Sequence, residues 1–172
     1  MTAGVLVAYA SRYGSTAGIA EAIGEILRER GLTTDVRRAD DVREIADYDT
    51  VVVGSGVYMG RWDGAAVGFL KRFEHDLARR PTWLFSSGPT GGDVKAEARM
   101  AATLAEQPDP PGNIAKVAKR IGPRDHRTFA GRVGEDMGGF FARWIPKGDW
   151  RDFDAVRAWA ATIADASPVP AG

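Results

Sequence analysis

Short apolar runs alternate with amphipathic helical patterns along this 172-residue chain, and no other feature restricts its fold as strongly. Apolar runs that are typical of buried strands cover residues 5–10, 50–54 and 82–86, and two further strands fit residues 33–37, around Val36, and 127–133, around Phe129. Strands that alternate with helices in this way pair in parallel, through right-handed crossovers that place helices on both faces of the sheet. The sequence therefore predicts an α/β fold with a doubly wound, five-stranded parallel sheet.

Apolar residues at three- and four-residue steps mark the helices between these strands. The clearest sets are Ile19, Ile23, Ile26 and Leu27; Ala66, Phe69, Leu70, Phe73 and Leu77; and Phe153, Val156, Trp159, Ala160 and Ile163. We also expect a short helix or turn over residues 42–48, and short helices near 94–104 and 114–121. One domain should span residues 1–165, followed by a frayed tail over 166–172.

The loop between the first strand and the first helix is rich in hydroxyl groups. It consists of Ser11, Arg12, Tyr13, Gly14, Ser15 and Thr16. The first N–H groups of a helix lack partners within it and carry partial positive charge, so this loop suits a phosphate monoester. It has neither the lysine of the mononucleotide loop nor the glycine spacing of the dinucleotide fingerprint. The equally weighted alternative is a plain helix cap formed by Ser15 or Thr16.

Two further loops follow predicted strands and should meet the first loop beyond the carboxyl ends of the sheet, where such folds bind ligands. Their site candidates are Gly56, Val57, Tyr58, Met59, Gly60 and Trp62 in one loop, and Ser87, Gly88, Pro89, Thr90, Gly91 and Gly92 in the other. Tyr58 or Trp62 could stack on a flat ring, with Met59 as a polarisable contact. The glycines of the last loop could present N–H groups to the ring edge. Alternatively, Met59 and Trp62 belong to the core, and the last loop is an ordinary turn.

These segments resemble flavodoxin-fold proteins, and most closely the flavodoxin-domain family that includes menaquinone-dependent protoporphyrinogen oxidase. Residues 9–16, 54–62 and 148–159 carry the resemblance, which covers the chain to about residue 165. It implies FMN as the cofactor, with Ser11, Tyr13, Gly14, Ser15 and Thr16 at its phosphate. One departure is the segment 134–147, which is shorter and richer in glycine than we expect for the quinone-linked oxidase.

Composition argues against several other classes of protein. The formal net charge is zero, which does not indicate binding to nucleic acid through a general electrostatic field. The chain has no cysteine, which excludes disulfides, thiol catalysis and thiolate metal sites. His75 and His126 lack metal-ligand spacing and should be surface or hydrogen-bonded residues. We see no signal peptide or membrane-spanning run, so a cytoplasmic location is expected, with peripheral contact at the inner face of the membrane as an option.

The sequence favours an FMN-dependent oxidoreductase that works between an organic substrate, such as a porphyrinogen, and a quinone or another acceptor. The flavin would carry the chemistry, and Arg61 is the one charged side chain that the sequence places near the ring. The alternative is a carrier flavodoxin that exchanges electrons with a redox protein and has no substrate of its own. Carriers usually present an acidic face, and this neutral chain does not indicate one.

A basic run and an apolar cluster bear on the partners. The run comprises Lys116, Lys119, Arg120, Arg124, Arg127 and Arg132, with Asp125 as its one acidic residue. A solvated helix face is the favoured interpretation, and a cationic rim for a carboxylated substrate or an anionic membrane is the alternative. Phe140, Phe141 and Trp144 could contact a quinone, a porphyrin or the bilayer, although we expect at least two of them in the core.

Overall fold

The computed structural model describes residues 4–58, 60–88, 110–133, 148–149 and 151–168. The strands are β1 (Gly4–Ala10), β2 (Thr33–Arg38), β3 (Thr50–Tyr58), β4 (Arg61–Trp62), β5 (Thr82–Ser87), β6 (Asp125–Phe129), β7 (Arg132–Val133) and β8 (Gly148–Asp149). Five of them form a parallel sheet in the order β2-β1-β3-β5-β6, with β4 antiparallel to the end of β3, while β7 and β8 pair separately. The predicted doubly wound parallel sheet is confirmed.

Helices cover both faces of this sheet. They are α1 (Ser15–Glu29), α2 (Gly64–Arg72), α3 (Glu74–Leu77), α4 (Ala115–Ile121) and α5 (Phe153–Ala166). α1 and α5 bury their apolar residues in a cluster on one face, and α2, α3 and α4 bury theirs in a second cluster on the other. β1 and β3 lie between the two clusters and are buried on both sides, which explains their continuous apolar runs.

The register of the strands brings the three predicted site segments to one edge. β3 pairs Ser55 with Ala10 of β1 on one side and with Ser86 of β5 on the other. The strand order changes direction between β1 and β3, which is the topological switch point of the sheet. Open α/β sheets bind ligands in the crevice beyond the carboxyl ends of the strands at this point. The fold therefore places the loops after β1, β3 and β5 side by side.

Residues 42–48, expected as a short helix or turn, contain a turn, and a 3-10 turn precedes them at Ala39–Asp41. Val42 and Ile45 enter the core from this non-helical backbone. One helix prediction needs correction. The helix expected around residues 66–77 divides at Phe73 into α2 and α3. Because both pieces bury the same face, the apolar periodicity continues through the break.

Two strand predictions also need correction. The loop expected over residues 55–63 is largely a hairpin, because β3 continues to Tyr58 and returns as β4 after Gly60, whose φ is 73°. Glycine adopts this left-handed conformation without the steric penalty of a Cβ atom. The last strand of the sheet begins at Asp125, where pairing with β5 starts, and residues 132–133 pair with β8 instead. The helix predicted near residues 94–104 and the apolar cluster Phe140, Phe141 and Trp144 lie outside the described residues.

The ranges that the structure describes contain no helix that is both long and apolar enough to cross a bilayer. They also contain no group of three acidic or histidine side chains arranged to hold a metal ion.

Candidate cofactor site

The loop after β1 leads directly into α1, and its geometry resolves the question of the helix cap. Gly14 is the N-cap residue, with φ 80° and ψ −8°, and no side chain in the described part of the chain caps the helix. Ser15 and Thr16 are the first helical residues, so the plain-cap alternative is wrong for both. The Gly14 N–H donates to Ser11 Oγ over 3.0 Å, which closes the loop upon itself. The positive end of the α1 dipole therefore faces the carboxyl ends of the strands, which we call the ligand edge.

A pair of buried hydroxyl groups joins this loop to the end of β5. Ser15 Oγ and Ser87 Oγ lie 3.5 Å apart, and both side chains are buried. Beyond Ser87, the Gly88 N–H donates to the carbonyl of Phe129 on β6 over 2.5 Å. The first and third predicted segments are thus adjacent, as expected from the strand order. Pro89, Thr90, Gly91 and Gly92 lie outside the described residues, so their proposed contact with the ring stays a prediction.

Arg12 joins the loop after β1 to the β3–β4 hairpin. Its backbone N–H donates to the Tyr58 hydroxyl over 3.0 Å, and its guanidinium carbon lies 4.6 Å from the centroid of the Tyr58 ring. Arg12 Nε also donates to Asp63 Oδ2 over 2.9 Å. Tyr13 packs edge-on against Tyr58, with 6.1 Å between the ring centroids. The two segments therefore touch through Tyr58, which is half-buried.

Asp63 ends the hairpin and caps the next helix. Its Oδ1 accepts from the N–H of Ala65 over 2.9 Å at the start of α2, and its own N–H donates to Ser55 Oγ. Burial opposes ionisation of this carboxyl, but the Ala65 amide and the Arg12 guanidinium outweigh burial and hold the pKa of Asp63 below its ordinary value. Asp63 is therefore an ionised residue with a structural role, because its carboxylate accepts hydrogen bonds from Arg12 and Ala65.

Trp62 is part of the core, which removes one of the two aromatic candidates for ring stacking. Its side chain is only 3% exposed, and its indole Nε1–H donates to Ser86 Oγ over 2.8 Å. Asn113 holds the Trp62 backbone with two hydrogen bonds of 3.1 Å, one to the N–H and one to the carbonyl. Sequence reasoning missed Asn113, and no local pattern signals a clamp between residues 51 positions apart.

The remaining candidates of the hairpin differ in their exposure. Val57 is half-buried, Gly60 and Arg61 are exposed, and Met59 lies outside the described residues. Gly56 lies beneath the folded-back Tyr58 side chain, since a Cβ atom at Gly56 would come within 2.7 Å of the Tyr58 hydroxyl oxygen. Tyr58 is therefore the aromatic side chain of this hairpin that remains available to a flat ligand.

A buried chain of hydrogen bonds continues from Trp62 to His126. The Ser86 hydroxyl accepts from the indole, and its oxygen lies 2.9 Å from His126 Nε2. The Ser86 hydroxyl can then donate a hydrogen bond to Nε2 of a neutral imidazole, whose own proton is on Nδ1. Within the described ranges, that Nδ1 is buried and has no hydrogen-bond partner. Burial lowers the pKa of His126, and the nearby charge of Asp125 opposes that shift only in part.

We expect His126 to make the protein less stable in mildly acidic solution. The pKa of His126 is lowered in the folded protein from an ordinary value of 6.5, so the unfolded chain binds a proton that the folded chain resists. The free energy of unfolding should fall as the pH drops below about 6.5, by up to about 1.4 kcal/mol per pH unit from this one group. Urea unfolding between pH 5 and pH 8 gives the free energy of unfolding of the original protein and of His126→Gln, and the two pH profiles are then compared.

His75→Gln is the matched control, because His75 is exposed on α3. This variant should keep the pH dependence of the original protein, whereas His126→Gln should flatten it. Equal pH profiles for the original protein and His126→Gln would contradict a neutral, buried His126.

The basic run is mainly a solvated face. Arg120 forms two hydrogen bonds with the Glu74 carboxylate, of 2.6 and 2.8 Å, and Arg127 pairs with Asp125 at 2.9 Å. Lys116 and Lys119 are exposed on α4. Two of the cations in the run thus have local acidic partners, which weakens the run as a candidate for a ligand rim.

The assembled donor set fits a phosphate monoester. It comprises the start of α1, a glycine N-cap whose lack of a Cβ lets a ligand approach the backbone, the hydroxyl of Ser11 and the cation of Arg12. The charge is also appropriate, since segment 11–16 contains no acidic residue and the first turn of α1 has none. A phosphorylated ligand with a flat ring can extend from this loop toward Tyr58.

Comparison with known proteins agrees with this fold. The family model for the flavodoxin domain matches residues 6–145. Among curated proteins, the NAD(P)H dehydrogenase (quinone) of Bradyrhizobium sp. (strain ORS 278) is 35% identical over 38% of this chain and 44% of its own length. The protein of the same name from Rhodopseudomonas palustris (strain BisB5) is 32% identical over the same shares. The match thus spans less than half the length of these relatives.

Solved structures show the same architecture. Oxidised flavodoxin 2 from Bacillus cereus has a TM-score of 0.65 at 21% identity, over 95% of this chain and 99% of that one. Rubredoxin oxygen:oxidoreductase from Desulfovibrio gigas has a TM-score of 0.60 at 18% identity, over 95% of this chain and 35% of that one. With this sheet order and a family model that matches from residue 6 to residue 145, the chain belongs to the flavodoxin domain family and is a flavodoxin-like flavoprotein with FMN as its cofactor.

Proposed function

We propose that this protein is an FMN-dependent oxidoreductase that oxidises NAD(P)H and reduces a quinone. The overall reaction is NAD(P)H + quinone + H⁺ → NAD(P)⁺ + quinol. Curated relatives that share about a third of the aligned residues bear the name NAD(P)H dehydrogenase (quinone), which supports this reaction over the alternatives.

The structural observation that carries the proposal is the charge at the ligand edge. The Arg12 side chain is 57% exposed there, and Arg61 is exposed on β4. Asp63 is the one carboxylate of segments 11–16 and 55–63, and its side chain is 17% exposed and paired with Arg12. A cationic edge attracts the pyrophosphate of a pyridine nucleotide. A carrier that docks a basic redox partner would instead need exposed carboxylates at this edge.

Each part of the site has a proposed task. FMN, when bound, would supply the two-electron chemistry between a hydride donor and a quinone. The Ser11–Thr16 segment binds the phosphate through backbone N–H and hydroxyl groups, and Gly14 permits the close approach. Tyr58 provides the aromatic surface beside the ring, while Trp62 and Asn113 hold the hairpin that carries it. Gly88 and residues 89–92 are proposed to face the edge of the ring.

The function test is anaerobic mixing of the FMN-loaded protein with NADH or NADPH, followed by a quinone. The expected result is bleaching of the visible flavin band by the nicotinamide and its recovery with the quinone. Reduction only by a protein reductase, with no response to NAD(P)H, would support the carrier flavodoxin instead. The porphyrinogen alternative rests on the resemblance of residues 54–62 and 148–159, and bleaching by a porphyrinogen but not by NAD(P)H would support it.

Arg61→Gln should raise the KM for NADPH roughly fivefold, which corresponds to about 1 kcal/mol, and leave kcat nearly unchanged. The reason is that an exposed charge near the ring contributes attraction without taking part in hydride transfer. Steady-state kinetics at two salt concentrations measures the change, which should shrink at high salt because ions screen exposed charges.

Arg79→Gln is the charge-matched control for this variant. Arg79 is exposed and precedes β5, at the edge of the sheet opposite the site. Its KM for NADPH should equal that of the original protein. An unchanged KM in Arg61→Gln, or a fall in kcat alone, would remove Arg61 from nicotinamide binding.

A further inference from the structure

We propose that the Tyr58 hydroxyl competes with the phosphate of the cofactor for the backbone N–H of Arg12, and thereby lowers the preference of this site for FMN over unphosphorylated riboflavin. This inference rests on FMN binding at the loop after β1. It assigns Tyr58 a role in specificity in addition to its proposed contact with the ring.

Two contacts with Arg12 hold the Tyr58 side chain on this loop, and the absence of a side chain at Gly56 makes room for it. The Arg12 N–H donates to the hydroxyl oxygen over 3.0 Å. The Arg12 guanidinium lies over the Tyr58 ring, 4.6 Å from its centroid. Gly56 leaves room for the ring to fold back, since a Cβ atom there would lie 2.7 Å from the hydroxyl oxygen and 2.9 Å from two ring carbons. The hydroxyl therefore occupies a backbone donor of the segment that is built to bind phosphate.

The two acceptors differ in charge. A phenol oxygen is a neutral acceptor, whereas a phosphate oxygen is anionic and forms a stronger hydrogen bond with the same N–H group. One N–H group cannot serve both acceptors at full strength. A phosphorylated ligand that uses the Arg12 N–H must first displace the hydroxyl, and the lost hydrogen bond reduces its net affinity.

Riboflavin carries the same ring but no phosphate, so it has no reason to displace the hydroxyl. Removal of the hydroxyl should thus strengthen binding of FMN and leave binding of riboflavin nearly unchanged. This selectivity distinguishes competition at the loop from a general change in ring stacking, which would move both affinities together.

The test is titration of the cofactor-free protein and of Tyr58→Phe with FMN and with riboflavin, in phosphate-free buffer, followed by flavin fluorescence. The variant keeps the aromatic ring and its contact with Arg12. We expect the Kd for FMN to fall about three- to tenfold, since a neutral hydrogen bond contributes about this factor, and the Kd for riboflavin to change less than about twofold. Tyr48→Phe is the control, because the Tyr48 hydroxyl donates to Asp35 over 2.6 Å, away from the ligand edge. It should leave both values unchanged.

Weaker or unchanged FMN binding in Tyr58→Phe would overturn the inference, and so would an equal shift for the two flavins. If the original protein fails to bind FMN, the cofactor assignment fails together with the inference. If it binds FMN normally and only the selectivity is unaltered, the inference alone fails.

Discussion

Replacement of Gly14 by Asp is expected to lower the affinity for FMN about 100-fold or more while the fold stays intact. A carboxylate at the N-cap of α1 would lie at the proposed phosphate site, and two like charges a few ångströms apart repel by about 3 kcal/mol or more at the effective dielectric of a protein surface. The same charge is favourable for the helix, whose first turn has no acidic residue. Asp also tolerates the left-handed backbone that Gly14 adopts at φ 80°.

The matched control is Gly14→Asn, which has nearly the same shape and backbone preference without the charge. Its affinity for FMN should fall by no more than about tenfold, so the difference between the two variants isolates the electrostatic part. Calorimetric titration with FMN and thermal unfolding of the cofactor-free proteins provide the two readouts. Equal FMN affinities in Gly14→Asp and Gly14→Asn would place the phosphate away from the start of α1.

The parallel sheet and the position of the hydroxyl-rich loop were predictable because both leave local signals. Continuous apolar runs such as Val51, Val52 and Val53 occur where a strand is covered on both faces, and this pattern indicates a parallel sheet. Since parallel strands end at one edge, the loops that follow them must be neighbours. A hydroxyl-rich turn between a strand and a helix then identifies the loop that suits a phosphate.

Other parts of the site depend on contacts that no local pattern records. Trp62 is an aromatic residue at the end of a strand, and its burial depends on Ser86 and Asn113, which lie 24 and 51 residues away. The Tyr58–Arg12 bond joins residues 46 positions apart and depends on the space above Gly56. Such pairings are set when the sheet assembles, so the sequence alone left Tyr58 and Trp62 as equal candidates for the ring.

Replacement of Gly54 by Ala is expected to destabilise the protein strongly. A Cβ atom at Gly54 would lie 2.0 Å from Cζ of Phe85 and 2.1 Å from its Cε1, far inside van der Waals contact. The Phe85 ring cannot turn away easily, because it is fully buried and packs against Phe129 and Trp159 with centroids 6.3 and 6.2 Å apart. Overpacking of this kind should lower the free energy of unfolding by about 3 kcal/mol or more.

Two further variants show whether this contact is the cause. Gly68→Ala is the control, since Gly68 is exposed within α2 and a Cβ atom there meets nothing within 4 Å. That substitution should raise the free energy of unfolding by about 0.5–1 kcal/mol through helix propensity. Phe85→Leu should partly rescue Gly54→Ala, because a smaller side chain makes room for the added methyl group, and the double variant should then be more stable than the sum of the single effects predicts. If the two single changes in the free energy of unfolding simply add in the double variant, overlap with the Phe85 ring is not the reason that Gly54 is required.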